Sequence, residues 1–301
     1  MQEVADLAGL ARLIRYYILE MTTTAGSGHA TSCLSAVELM TALFFQKLRF
    51  DLKNPEDPFS DRVIFSKGHV SALIYALYCV AGEIGEDELL TYRKFGSALE
   101  GHPTPRFQFA EAATGSLGQG LSIGVGEALA MKSQRVKESK SQGLPMVYVL
   151  MGDGECAEGS VWEAVELASF YKLGNLAAIV DVNRLGQSGE TMLGWNTEIY
   201  QKRFEAFGWE VQVVDGHDYE GIRRVYEGIK GDGEKPLAII AKTVKGKGVS
   251  FLEDKEGWHG KALSPDDFEI STVIRIESTV NPLRRIFKMR SEPESDPISI
   301  P

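Results

Sequence analysis

An aspartate between two glycines, Gly152-Asp153-Gly154, follows the apolar run Met146–Met151, and about thirty residues later Asn183 follows a second such run, Asn175–Val182. If the two runs are neighbouring parallel strands, Asp153 and Asn183 sit just past their carboxyl ends, where open α/β sheets bind ligands. One carboxylate, one amide oxygen and nearby loop carbonyls form a hard, oxygen-only donor set. Such a set suits Mg²⁺ or Ca²⁺, with water and phosphate oxygens completing the shell. The glycines let the backbone approach something bulky, and a bound diphosphate would explain them and the metal together. The same residues also fit an acidic turn beside an unrelated asparagine, because Gly-Asp-Gly is common turn chemistry.

Four of the five histidines lie in glycine-bearing turns: Ser27-Gly28-His29, Lys67-Gly68-His69, Gly101-His102-Pro103 and Trp258-His259-Gly260. A lone histidine is more often solvated or satisfied in a core. Four at turns are harder to dismiss, since turns at strand ends carry the sites of such folds. Imidazole changes protonation near neutral pH, which suits proton transfer to hydroxyls and contact with phosphate. No pair has the close spacing of a zinc site. His217, in the turn Asp215-Gly216-His217-Asp218, reads as structural. The glycine-rich stretch from Gly115 to Gly126 lacks the dinucleotide pattern and follows no β-branched strand. It reads as a tight turn with close helix packing, or as a diphosphate seat at a helix N-terminus.

The elements that must place these groups alternate along the chain. Helical spacing of Leu7, Leu10, Ala11, Ile14, Tyr17, Ile18 and Met21 predicts a first helix over 4–24, and a second is expected over 35–45. A short strand over 61–66 leads into His69 and a helix to about Val80. Another helix runs from the Gly115–Gly120 turn to about Lys132. Strand, helix and strand follow over 146–151, 160–171 and 175–182, then helix 199–207, strand 209–214, helix 219–230 and strand 236–241. Continuous apolar strands alternating with helices mean an α/β fold, a parallel sheet with helices on both faces. No internal repeat is evident. From about residue 271 the pattern fades into charge, serine and proline, so 1–270 is expected to be one domain and 271–301 an irregular tail, with an apolar stretch at 272–276.

Composition is that of an ordinary globular chain: 301 residues, 44% hydrophobic and 25% charged. A formal net charge of −10 argues against nucleic acid or an anionic membrane as partner, so local groups must hold any anion. Three cysteines without a CxxC fit free thiols in a reducing cytoplasm. Glu3, Asp6, Arg12 and Arg15 are unlike a signal peptide, and no apolar run approaches the roughly 18 residues of a membrane span.

The ordered motifs SGHATSCLSAVELM (27–40), DRVIFSKGHVSALIYA (61–76), LEGHPTP (99–105), ATGSLGQGLS (113–122), MGDGECAEGSVWEA (151–164), VDVNRLGQS (180–188), IYQKRFEAFGW (199–209), AIIAKTVKGKG (238–248) and EDKEGWHGK (253–261) carry a family resemblance. From about Leu7 to Leu263 the chain resembles the amino-terminal, thiamine diphosphate-binding half of transketolases, in the branch that includes the animal enzymes. The resemblance implies thiamine diphosphate and Mg²⁺ as cofactors, with Ca²⁺ or Mn²⁺ able to substitute. It assigns the metal to Asp153, Asn183 and the carbonyl of Leu185. Facing the cofactor would be Ser32, His69, Gly115, Ser116, Leu117, Asp153, Gly154, Glu155, Asn183, Gln187, Lys245 and His259. His29, His69, His102 and His259 would be the catalytic histidines, and Glu158 and Glu163 would lie at a dimer interface. Ala30 stands where the family usually has proline after the Ser-Gly-His turn, which implies a looser turn.

The implied activity is transfer of a two-carbon ketol group from a ketose phosphate, such as xylulose 5-phosphate, to an aldose phosphate, such as ribose 5-phosphate. In the family a second half binds the aminopyrimidine ring and supplies the glutamate that activates it, and a third, carboxyl-terminal domain follows. The expectation is therefore one subunit of a split transketolase, nearly inactive alone, with those domains on a partner chain in an α2β2 assembly; a truncated form of a longer enzyme is the other possibility. The Gly-Asp-Gly…Asn pattern is shared by deoxyxylulose-phosphate synthases and by the α-chains of 2-oxo acid dehydrogenases, but the clustered histidines favour ketol transfer. A non-catalytic relative would normally have lost polar site residues, whereas every mapped position here is occupied.

Overall fold

The computed structural model describes residues 2–134 and 144–272. Helix α1 (Gln2–Ala25) buries the apolar set given by its helical spacing, Leu7 to Met21, and stops at Gly26 with φ at +60°. The helix expected over 35–45 runs from α3 (Val37–Ala42) straight into a π-helical turn at Leu43–Lys47, and a short helix that was not expected, α2 (Ala30–Leu34), precedes it. The interruption between α2 and α3 falls at Ser35, whose Oγ donates to the Asp181 carboxylate (2.6 Å) and lies 3.0 Å from the Ser32 carbonyl. A side chain that bonds nearby backbone competes with a regular helix, and here a buried polar network also draws it in.

Next come β1 (Arg62–Phe65), α4 (Ser71–Ala81) and α5 (Glu86–Leu89), then a long irregular stretch carrying His102 and Gly115. After α6 (Gly120–Gln134) follow β2 (Val147–Gly152), α7 (Gly159–Phe170), β3 (Leu176–Val182), α8 (Thr197–Ala206), β4 (Glu210–Asp215), α9 (Tyr219–Gly228), β5 (Leu237–Lys242) and α10 (Pro265–Thr272). The stretch 272–276, expected to be an apolar part of the tail, lies almost wholly outside the described residues.

The sheet is parallel throughout, in the order β1-β2-β3-β5-β4. Its strands alternate between two cores. Tyr148, Leu150, Ala177, Ile179, Ile239 and Ala241 pack with residues of α1, α3, α4 and α9. Val147, Val149, Met151, Ala178, Val180, Ala238 and Ile240 pack with residues of α6, α7 and α8. Each fully buried aliphatic side chain contributes about 1.5–3 kcal/mol, so the strands are apolar on both sides, as a sheet covered by helices requires. Edge strand β4 departs from this, with Val213 at 45% exposure and only Val214 buried.

Cys33, Cys79 and Cys156 are free and buried. No helix among the described residues is long and apolar enough to cross a membrane.

Candidate active site

Every predicted site group lies on a loop, a turn or a helix start, and four strands aim their carboxyl ends at the region. The register pairs Gly152 of β2 with Asp181 of β3, which makes Asp153 and Asn183 neighbours in space. Asp153 accepts from the Gly154 amide (2.9 Å), the Arg184 amide (2.8 Å) and Thr191 Oγ1 (2.9 Å). A carboxylate has about four acceptor positions, so one remains. Asn183 Oδ1 accepts from the Leu185 amide at 3.2 Å, while its Nδ2 donates to Asp181 Oδ2 at 3.3 Å. That donor bond turns the amide so that its oxygen faces the loop. The Leu185 carbonyl accepts from Lys245 Nζ at 2.9 Å.

Burial, with the charge of Asp181 adding to it, raises the Asp153 carboxyl to about 6. A bound cation would relieve that penalty. No cluster of three or more His, Cys, Asp or Glu side chains among the described residues is arranged to hold a metal. A metal here must therefore use the amide and carbonyl oxygens together with Asp153, a donor set suited to Mg²⁺ rather than to softer ions.

The glycines around Asp153 provide a second test of fit. A Cβ built on Gly152 meets nothing within 4 Å, and one on Gly154 meets only Thr191 Cγ2 at 3.5 Å. Neither residue has a positive φ. The chain's own packing therefore does not demand glycine at these positions, and the open space above the turn is a cradle that side chains would fill. By contrast, a Cβ on Gly68 would lie 2.6 Å from the Thr114 backbone, so that glycine serves internal packing.

The histidines converge. His29 caps α2, His69 follows β1, and their ring centroids are 5.1 Å apart. His259 reaches in from a late loop, 4.9 Å from His29 and 5.4 Å from His69, and His102 lies 6.3 Å from His29. Gly115 packs on His102, its hypothetical Cβ only 3.1 Å from the ring. Lys245 Nζ joins the cluster to the Asp153 side, contacting His259 Nδ1 (3.0 Å) and the carbonyls of Leu185 and Gly186 (2.9 and 3.1 Å). Gln187 lies in the same loop and lines a small cleft with Lys245 and His259.

Burial holds His29 and His259 at about 4 and His69 well below its ordinary value, with neighbouring Lys245 and Lys67 acting in the same direction. His102 is lowered too, by burial and by Arg93. Burial and the charge of Lys67 bring Lys245 down to about 8. The imidazoles are thus neutral at physiological pH and able to give or take a hydroxyl proton, while Lys245 supplies positive charge for an anion. Ser32 Oγ and His29 Nδ1 are buried without a hydrogen-bond partner. Orphaned buried polar atoms are uncommon, and two on one helix start that bears predicted site residues fit a polar ligand.

Other predicted residues are placed differently. Ser116 and Leu117 lie exposed on the turn before α6, with Leu117 at 40% exposure. Glu158 and Glu163 are also exposed. Glu155 is buried with both oxygens engaged by Ser66 Oγ, the Gly118 amide (2.9 Å) and the Gly152 amide (3.2 Å). It ties two site turns together from beneath.

Beneath the site lies a polar network that sequence reasoning missed. Lys67 Nζ meets Asp181 Oδ2 at 2.5 Å, both side chains almost fully buried, and Ser35, Thr243 and Asn183 also bond to Asp181. Burial alone would raise the Asp181 carboxyl, but Lys67 and these donors outweigh it and hold it low. The available signal was a charge inside the otherwise apolar strand 176–182, since charges are rarely buried unpaired. His217 has the expected structural role: Nδ1 meets Glu38 Oε2 at 3.1 Å and Nε2 accepts from the Val244 amide at 2.9 Å.

Comparison with known proteins agrees with this geometry. The family profile described as "Transketolase, thiamine diphosphate binding domain" matches residues 8–292. Transketolase from Homo sapiens is 44% identical over 299 residues, which is 99% of this chain and 46% of that protein. Transketolase-like protein 1 from Macaca fascicularis is 36% identical over 93% of this chain and 39% of its own length. Among solved structures, transketolase from Campylobacter jejuni superposes with a TM-score of 0.84 at 32% identity, covering 95% of this chain and 48% of that one. A Pichia stipitis transketolase solved with sedoheptulose 7-phosphate gives a TM-score of 0.80 at 28% identity, over 94% of this chain and 45% of that one. The chain thus spans about half the length of the relatives it matches. With the parallel sheet, the Asp153–Asn183 pair and the histidine cluster already in view, the chain belongs to the transketolase family and corresponds to its amino-terminal, thiamine diphosphate-binding domain.

Proposed function

We propose that this chain, through a domain spanning residues 1–270, supplies the diphosphate- and metal-binding half of a ketol-transferring enzyme. The whole enzyme would move a two-carbon unit from a ketose phosphate such as xylulose 5-phosphate to an aldose phosphate such as ribose 5-phosphate. The observation that carries this is the convergence of His29, His69 and His259 on Lys245, beside the Asp153–Asn183 loop. Sugar phosphates as substrates draw further support from the relatives solved with sedoheptulose 7-phosphate and xylulose 5-phosphate.

Asp153, Asn183 and the Leu185 carbonyl would hold Mg²⁺, for which the Lys245 ammonium must yield the carbonyl it now occupies. Lys245, His69, His259, Gln187 and Gly154 would face the diphosphate, and the open space over Gly152 and Gly154 would receive it. Ser32, Gly115, Ser116 and Leu117 would border the rings. When bound, thiamine diphosphate supplies an acyl-anion equivalent that water-exposed side chains cannot. His29, His102 and His259, neutral at pH 7, hold and move the protons of the sugar hydroxyls. The pyrimidine-binding and carboxyl-terminal domains would complete the site, carried on a separate chain in an α2β2 assembly in the split form of this proposal.

The test is ketol transfer between xylulose 5-phosphate and ribose 5-phosphate with Mg²⁺ and thiamine diphosphate, for this chain alone and with a complementary half. Transfer only in the mixture is the expected result. Full transfer by this chain alone would overturn the division of roles, and failure of the wild-type chain to bind the cofactor would sink the proposal.

A further inference from the structure

The loop after β5 carries Lys245, whose side chain touches the Leu185–Gly186 carbonyls and His259 at once. The backbone on either side of it is gripped from outside the site. Val244 donates its amide to His217 Nε2 at 2.9 Å, and the Lys247 carbonyl accepts from Arg15 Nε at 3.0 Å. His217 belongs to the turn before α9 and Arg15 to α1, yet both are oriented by the same carboxylate. Glu38 of α3, nine-tenths buried, takes Arg15 Nη2 on one oxygen and His217 Nδ1 on the other. The Val244 amide must donate, so Nε2 must be a bare acceptor, and the ring proton sits on Nδ1 facing Glu38. The loop has little freedom to rearrange: Gly246 (φ +81°) and Gly248 (φ +94°) would place a Cβ against the Leu252 carbonyl and Arg15 Nε, respectively.

We propose that Arg15, Glu38 and His217 act as a clamp of positioning residues. They hold residues 244–247 on both flanks of Lys245 and so set where its ammonium stands in the site. None of the three touches the histidine cluster in the contacts described above, so their effect passes through the loop. The consequence for cofactor affinity rests on the proposed function; the position of the loop does not.

The test uses the full chain with H217A, H217Q and R15M. A glutamine can accept from Val244 through its carbonyl and donate to Glu38 through its amide, whereas alanine can do neither. Hydrogen exchange read on the 243–249 segment should accelerate severalfold in H217A and R15M, with near-normal exchange in H217Q. Acylation of Lys245, followed by mass spectrometry, should rise in parallel, while denaturant unfolding confirms that each variant is folded. Thiamine diphosphate affinity in Mg²⁺ should fall by about tenfold in H217A and recover in H217Q. Unchanged exchange and Lys245 labelling in both H217A and R15M overturn the clamp, as does H217Q behaving like H217A. If the wild-type chain binds no thiamine diphosphate, the functional proposal fails while exchange and labelling still decide the clamp.

Discussion

His29 and His259 show how burial prepares a group for chemistry. Both are held at about 4 against an ordinary 6.5, first by desolvation and then by nearby cations. Between those values the folded chain binds fewer protons than the unfolded one. Their neutral burial therefore favours the folded state fully above pH 6.5, and this contribution is lost as pH falls through about 4. Replacing both by asparagine should flatten the acid limb of a stability-versus-pH curve between 6.5 and 4; an unchanged limb would remove the argument. Asp153→Ala should abolish Mg²⁺-dependent cofactor binding by calorimetry, and tight binding in that variant would refute the metal assignment. These residues were legible because glycine turns and strand ends mark them. Lys67, Asp181, Glu38 and Arg15 were not, since their partners lie far along the chain and only the tertiary structure brings them together.

At the scale of elements, the glycines divide into two kinds. Gly152→Ala and Gly154→Ala should leave folding stability within about 1 kcal/mol of wild type, because both sites have room and an ordinary φ. Thiamine diphosphate binding should nevertheless weaken markedly in both. Gly68→Ala should show the reverse priority, with loss of folding stability of about 1–3 kcal/mol from overpacking against the Thr114 backbone. Denaturant midpoints and cofactor titrations on the same three variants separate the two classes; a destabilised Gly152→Ala would mean the cradle is internal packing after all. The strands and long helices were legible because apolar period and turn residues agree along them. The short helix α2 was not: it is separated from α3 at Ser35, which bonds to Asp181, a residue 146 positions away. Strand β4 was recognisable as a strand, but its edge position follows from sheet order, which no local pattern encodes.

Across the whole molecule, an acidic chain of net charge −10 keeps two lysines, Lys67 and Lys245, buried in one site region, the first of them paired with Asp181. Cofactor that binds only the folded state should raise unfolding free energy by about 2.7 kcal/mol at 100 times its dissociation constant. A thermal-shift series in thiamine diphosphate and Mg²⁺ checks this, and no shift from either would count against the site. The Arg15–Lys247 contact has a further consequence, for the order in which the molecule is built. Its partners are 232 positions apart. At a synthesis rate of about 5–20 residues per second, roughly 10–50 s separate their emergence from the ribosome. Helices α1, α3 and α4 can pack on one another during that wait, because all lie within the first 81 residues. The loop carrying Lys245 is made only after β5, the strand that pairs with β3. A nascent chain stopped just short of it already contains His29, His69 and His102, but the lysine and the fourth histidine around which they gather have still to be made.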